Sequence, residues 1–149
     1  MTVIIRTVAD DELAALLCLY AYLHPEEEMR TPGEMMPLWK TLRQDPNQQC
    51  LGAYADGFLA ATCTLIVVPN LTHGGRPYGL IENVVTHPEH RRRGLGTAVL
   101  THTLQAAWER RCYKVMLLTG SKTEGKLRFY EQAGFERGVK TGFVAYPTL

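Results

Sequence analysis

The sequence predicts an α/β fold: one domain with a mixed, mostly antiparallel central sheet flanked by helices. Three observations predict it. Apolar residues recur at helical spacing over Leu13–Tyr20 and Gly96–Trp108. Apolar runs of strand length occupy Gln49–Tyr54, Phe58–Val68 and Tyr78–Thr86. Asp56-Gly57 lies between the first two runs and is a hairpin signal, so those strands pair antiparallel. The chain has 149 residues and is 46% apolar and 21% charged, which suits one domain with its own core. No repeat or linker divides it, so residues 1–149 read as a single domain.

The elements follow in order. Val3–Val8 is a first strand. Asp10 suits a helix cap, with Asp11 and Glu12 in the first turn and Leu13, Leu16, Leu17 and Tyr20 on the apolar face. His24–Pro37 is broken by Pro25, Pro32 and Pro37 and reads as a loop or irregular helix. Leu38–Arg43 supplies a turn or two of helix before Asp45-Pro46 stops it. After the hairpin and the third long strand comes the basic loop Pro88–Arg93. Gly94–Arg110 is the clearest helix, with Gly96, Val99, Leu100, Thr103, Leu104, Ala107 and Trp108 on one face. Lys114–Thr119 is a strand. Glu124–Ala133 is a helix ended by Gly134. One or two final strands run from Phe135 through Tyr146.

Composition narrows the function. A net charge of +1 gives no global field for nucleic acid or an anionic membrane. No apolar run is long enough to cross a bilayer, and residues 1–20 lack a signal-peptide layout, so the expected location is cytoplasmic. Cys18, Cys50, Cys63 and Cys112 show no metal or redox spacing and read as reduced thiols. His87 and His90 straddle Pro88 with no Cys or carboxylate completing a set, so no metal is expected.

The sharpest local feature is Arg91-Arg92-Arg93-Gly94-Leu95-Gly96-Thr97, which follows a strand and opens a helix. A helix N-terminus presents unpaired N–H groups and a partial positive charge, a ready anion site. Gly94 and Gly96 would let a phosphate approach the backbone, and Arg91–Arg93 add charge. A dinucleotide fingerprint fails because Val99 stands where a third small residue is needed. A P-loop fails for want of Gly-Lys-Ser/Thr. The bland alternative is a glycine turn with solvated arginines.

Arg91-x-x-Gly94-x-Gly96 resembles the acyl-CoA pyrophosphate loop of the GNAT superfamily of N-acetyltransferases. Ile81-Glu82-Asn83-Val84-Val85-Thr86-His87-Pro88 resembles that family's central strand, and Phe129-Tyr130-Glu131-Gln132-Ala133-Gly134-Phe135 its C-terminal helix-to-strand motif. The resemblance is strongest from Gly79 to Phe135. It implies a splayed, V-shaped cleft and direct acetyl transfer from acetyl-CoA to an amine. Arg92–Thr97 would hold the pyrophosphate, and the backbone of Val84, Val85 and Thr86 the pantetheine arm. An asparagine common in the family before the tyrosine is missing here, and Ser121 or Thr123 is the expected substitute.

The chemistry needs a neutral amine, a donor for the developing oxyanion and a proton for the departing thiolate. By the resemblance Tyr130 is the general acid, and a phenol with a reference pKa of about 10 stays a donor at neutral pH. Its bland role is packing beside Leu127. Glu82, a carboxylate on an otherwise apolar strand, is the candidate for the amine end, directly, through water, or only structurally. Asn83 joins it if the strand bulges. Tyr20, His24 and His73 are further acceptor candidates, and Glu26–Glu28 reads as a solvated run. Expected partners are acetyl-CoA and an amine, with a homodimer allowed by the tail Lys140–Tyr146 and neither nucleic acid nor membrane. A small-molecule acceptor is favoured. The alternatives are a non-catalytic acyl-CoA sensor and a protein lysine or N-terminal acetyltransferase.

Overall fold

A computed structural model describes all 149 residues. The elements are β1 (Val3–Thr7), α1 (Leu13–Tyr20), α2 (Pro32–Gln44), β2 (Gln48–Ala55), β3 (Phe58–Val68), β4 (Tyr78–Thr86), α3 (Leu95–Glu109), β5 (Val115–Met116) and α4 (Glu124–Gln132). They form one five-stranded sheet in sequence order. β1 to β4 pair antiparallel, and β5 joins β4 in parallel. Asp56 (φ 48°) and Gly57 (φ 84°) turn the β2–β3 hairpin in the left-handed region, where Asp and Gly are the tolerant residues.

Alternation along the strands builds two cores. Leu51, Ala53, Cys63, Leu65 and Ile81 meet Leu95, Val99 and Leu100 of α3. On the opposite face Val8, Tyr54, Leu59 and Val85 meet Leu13, Leu16, Leu19 and Trp39. The buried Thr103 hydroxyl is satisfied, donating to the Val99 carbonyl at 2.7 Å and lying 3.1 Å from the Cys63 thiol. Trp108 lies off the packed face of α3 and is exposed.

Four expectations change. The first helix starts at Leu13, after a 3-10 turn at Asp10–Glu12. There the Glu12 carboxylate accepts from Ala9 N–H, the Arg6 guanidinium and the Tyr54 hydroxyl. α2 starts six residues earlier than the Leu38 expected. Thr31 caps it by accepting from Glu34 N–H, and Pro32 sits at the first position, where no N–H is needed. Pro37 inside costs one backbone bond, which burial of Trp39 offsets; its indole donates to the Asp10 carbonyl at 3.0 Å. β5 shrinks to Val115–Met116 because the chain turns away from β4 after two paired residues. No strand forms after Phe135: residues 136–149 add nothing to the β5 edge, and Phe143 and Tyr146 stand exposed. Strand-like composition needs a partner edge, and a two-residue β5 offers little of one.

Candidate active site

The site lies where β4 and β5 part. They pair only at Gly79–Val115 and Leu80–Met116, so the outer edge of β4 is unpaired from Ile81 to Thr86. Opposite Cys63, the register with β3 slips by one residue, and Asn83 takes φ 56°. This is a β-bulge, placed at a residue type that tolerates the left-handed region.

Beyond β4, Arg92 (φ 62°) and Gly94 (φ 76°) fold the loop into the start of α3. No backbone N–H from Arg92 to Thr97 finds an acceptor in the chain, and the first helical bond runs from Ala98 N–H to the Gly94 carbonyl at 2.9 Å. Space around Gly94 is open, so a bound group can reach the backbone there. Gly96 is needed for a different reason from the one the sequence suggested. A Cβ on it would lie 2.9 Å from Phe129 Cζ and 3.0 Å from Thr86 Oγ1, so it seats α3 tightly against α4 and β4.

A cleft of about 950 Å³ follows this crescent. Val84, Val85, Thr86, Arg91, Arg92, Gly94, Leu95, Gly96, Thr97, Ser121 and Thr123 line it together, as the sequence grouped them. The Ser121 and Thr123 hydroxyls lie 3.2 Å apart. Arg93 points elsewhere and is exposed. The lining holds no carboxylate, and its full charges are Arg91, Arg92 and Lys126. Lys126 was not picked out by the sequence reading. It stands one turn before Phe129 on α4, with its ammonium 5.4 Å from that ring's centre. Burial, and then Arg91, hold its pKa below the usual lysine value. Its spacing from Phe129 was the available signal. His90 also lines the cleft unforeseen. Its ring stacks on Phe58 at 5.0 Å, and its Nδ1 is buried without a partner.

Tyr130 is buried between the rings of Phe129 and Phe135. Burial raises its pKa, with the Cys63 thiol adding to the rise and the Thr119 hydroxyl opposing it. The hydroxyl makes no hydrogen bond in good geometry, yet His90 Nδ1 is the only fully enclosed, unpartnered side-chain polar atom. The phenol therefore keeps an opening to solvent. Glu82 is exposed on the opposite sheet face from Ile81, across from Thr64, and forms no ion pair.

A second cavity, about 480 Å³, lies between α1, α2 and the sheet. Tyr20 and Asn83 line it with Leu16, Leu17, Trp39 and Cys50. The Tyr20 hydroxyl sits 3.8 Å from the Cys50 thiol, and burial raises its pKa well above that of free tyrosine. The two cavities adjoin at the bulge, where Asn83 lines one and Val84 the other. His24 lines neither; it is exposed, 3.9 Å from Glu26. His73 lines neither as well, and stacks on Tyr113 at 3.8 Å near the far end of β4.

A strand with an open edge beside a helix N-terminus, with a bulge between two cavities, defines the class of fold. The chain belongs to the acetyltransferase (GNAT) family, whose model matches residues 11–135. It is 38% identical over 79 residues to a glucosamine 6-phosphate N-acetyltransferase of Trypanosoma brucei brucei, covering 53% of this chain and 52% of that protein. The match thus spans about half of that relative's length. The solved structure of a putative acetyltransferase from Agrobacterium tumefaciens str. C58 is 39% identical, covers 97% of this chain and 99% of that one, and superposes with a TM-score of 0.92. Glucosamine-6-phosphate N-acetyltransferase from Arabidopsis thaliana superposes at 0.85 with 21% identity, covering 98% and 99% of the two chains, a likeness of fold.

Proposed function

We propose that this chain, as one domain spanning residues 1–149, transfers the acetyl group of acetyl-CoA directly to a primary amine on a small molecule. The observation that carries the reading is the crescent of unpaired N–H groups from Arg92 to Thr97, opening into a carboxylate-free cleft. The residues present fit the co-substrate. The crescent and Gly94 suit a pyrophosphate, and Arg91, Arg92 and Lys126 supply countercharge. The open β4 edge at Val84–Thr86 offers backbone groups to the amide-bearing pantetheine arm, in the manner of an added strand. Ser121 and Thr123 supply hydroxyls beside it.

Acetyl-CoA supplies an activated acyl carbon. The chain's own groups manage the protons. Glu82 accepts a proton from the incoming amine, directly or through water, as the N–C bond forms. Tyr130 gives its proton to the sulfur as the C–S bond breaks, and solvent restores it. Burial suits Tyr130 to this role, since it keeps the phenol protonated at neutral pH.

The second cavity supports a small-molecule acceptor over a protein lysine, because α1 and α2 enclose it. A homodimer belongs to the same reading. The exposed Val139, Phe143 and Tyr146 lie on a segment without a strand partner, in a chain whose β5 has an unpaired edge. The four free cysteines favour a reducing, cytoplasmic setting.

Calorimetric titration with acetyl-CoA tests the core of the reading. The wild-type chain should bind saturably, and Gly94→Glu, folded by circular dichroism, should lose about 100-fold or more in affinity, since a carboxylate would enter an anion site. Absence of wild-type binding would overturn the proposal. Binding without transfer to any member of a broad amine panel would leave an acyl-CoA sensor.

A further inference from the structure

The cavity between α1, α2 and the sheet differs from the proposed cofactor cleft in its walls, which are mainly apolar and carry one cation and one carboxylate. Its walls are Leu13, Leu16, Leu17, Met35, Trp39 and Leu42. Arg43 is its only full cation, and two of its five N–H groups are held within the chain. Nε donates to Asp10 Oδ1 at 2.6 Å, a terminal nitrogen donates to the Val8 carbonyl, and the group lies over the Trp39 ring. Asp45 is its only carboxylate, and Oδ1 accepts from Asn47 N–H at 2.8 Å. Its polar side chains include Thr7, Gln48, Gln49 and Tyr20, whose hydroxyl lies 3.8 Å from the Cys50 thiol.

The far end of this cavity is different. Thr64 and Asn83 line it there, and Thr64 pairs across the sheet with the unpaired carboxylate of Glu82. A guest therefore meets apolar walls at one end and, at the other, Thr64 and Asn83, with the exposed Glu82 beside them across the sheet from Thr64. An amphiphile with a single amino group matches that polarity. A phosphorylated amino sugar matches it less well, since its dianion would lie among mainly apolar side chains with Arg43, already bonded to Asp10 and the Val8 carbonyl, as the single cation. The volume of about 480 Å³ lies within the ordinary range for a small-ligand pocket.

We propose that the acceptor is a primary amine carried on an apolar body, aromatic or branched aliphatic, with that body enclosed between α1, α2 and the sheet and the amine at Glu82 and Asn83. The inference rests on the transferase reading and names its acceptor class. It parts this chain from the relatives whose names specify glucosamine 6-phosphate.

Two measurements test it. The chain has two tryptophans, so a Trp108→Phe variant leaves Trp39, in the cavity wall, as the only reporter. Saturated with CoA so that no turnover occurs, this variant is titrated with 2-phenylethylamine while tryptophan emission is followed. A saturable change is expected. In parallel, CoA release from acetyl-CoA is compared for 2-phenylethylamine and glucosamine 6-phosphate. The apolar amine should lead in kcat/KM by about tenfold or more, and Leu17→Gln should reduce that lead about tenfold, as a lost apolar contact does. Acetyl-CoA affinity of Leu17→Gln should stay unchanged, which separates a cavity effect from unfolding. Equal or better use of glucosamine 6-phosphate, or no response of Trp39 in the CoA-loaded chain, overturns the inference. Failure to bind acetyl-CoA at all is a separate signal, read by calorimetry, and removes the transferase reading on which it stands.

Discussion

Two cavities meet at the β4 bulge, and they are built from different materials. The proposed cofactor cleft is largely backbone: an open strand edge, a left-handed glycine and a helix N-terminus, edged by Arg91, Arg92 and Lys126. The proposed acceptor cavity is mainly side chain, drawn from α1, α2 and four strands. Backbone donors recognise a group common to every acyl-CoA and tolerate change in side chains. A side-chain chamber is specific and can be re-cut by a few substitutions. The difference explains how a chain can share a family's cofactor loop while presenting its own acceptor surface.

The largest expected effect falls on Tyr130, which lines neither cavity and lies beside Phe129 of the cleft wall. Tyr130→Phe should lower turnover about 100-fold while acetyl-CoA affinity changes little, the signature of a proton lost only in the reacting state. Rapid-quench kinetics under chemistry-limited conditions read it, and unchanged turnover would return Tyr130 to a packing role between Phe129 and Phe135. Because burial raises the Tyr130 pKa, wild-type turnover should show no loss from this group up to the ordinary tyrosine range near pH 10.

Glu82→Gln should act on the acceptor side alone. We expect about a tenfold loss in kcat/KM for the amine, larger at low pH where more amine carries a proton, and no change in acetyl-CoA binding. A pH–rate profile superimposable on the wild type would make Glu82 structural and erase the polarity assigned to the acceptor cavity.

The smallest effect concerns the cavity roof rather than its chemistry. α1 is tied to the sheet where Glu12 accepts from Arg6 at 2.7 Å and from the Tyr54 hydroxyl at 2.6 Å. The Arg6 hydrogen bond, opposed by burial and aided by Tyr54 and Ala9 N–H, pulls the Glu12 pKa down to about 2. A carboxylate depressed in the folded state stabilises it above the unfolded pKa, and the contribution fades as pH falls from about 4.5 towards 2. Arg6 is largely exposed, so solvent screens the pair. Glu12→Gln should cost about 1 kcal/mol at pH 7 in urea melts, with the gap from wild type closing below pH 4. A constant gap would assign the loss to packing of α1 instead.

Much of the fold was legible because its signals are local. The Asp56-Gly57 turn, the apolar face of α3 and the strand lengths each follow from neighbours along the chain. The run of unpaired donors at Arg92–Thr97 was legible for the same reason, since they are consecutive N–H groups. Trouble arose wherever an element depends on a distant partner. The prolines of α2 are innocuous only because Pro32 is at the first position and Trp39 is held by the Asp10 carbonyl. β5 is short because β4 leaves it, and the tail remains without strands because no edge receives it.

The sequence by itself determined the order of the elements as far as α4 and the run of unpaired N–H groups at Arg92–Thr97, because each rests on spacing within a few residues. The proton-transfer role of Tyr130 came from the family resemblance and stays a proposal with that of Glu82. Only the tertiary structure decided that Gly96 is required by Phe129 and Thr86, that Lys126 joins the cleft while Arg93 does not, and that His24 and His73 stand apart from both cavities. Only it decided, too, that Arg43, the single cation lining the second cavity, is bonded to Asp10 and the Val8 carbonyl. Those facts depend on residues far apart in the chain meeting in space, and no periodicity encodes which partner occupies a side chain once the chain has folded.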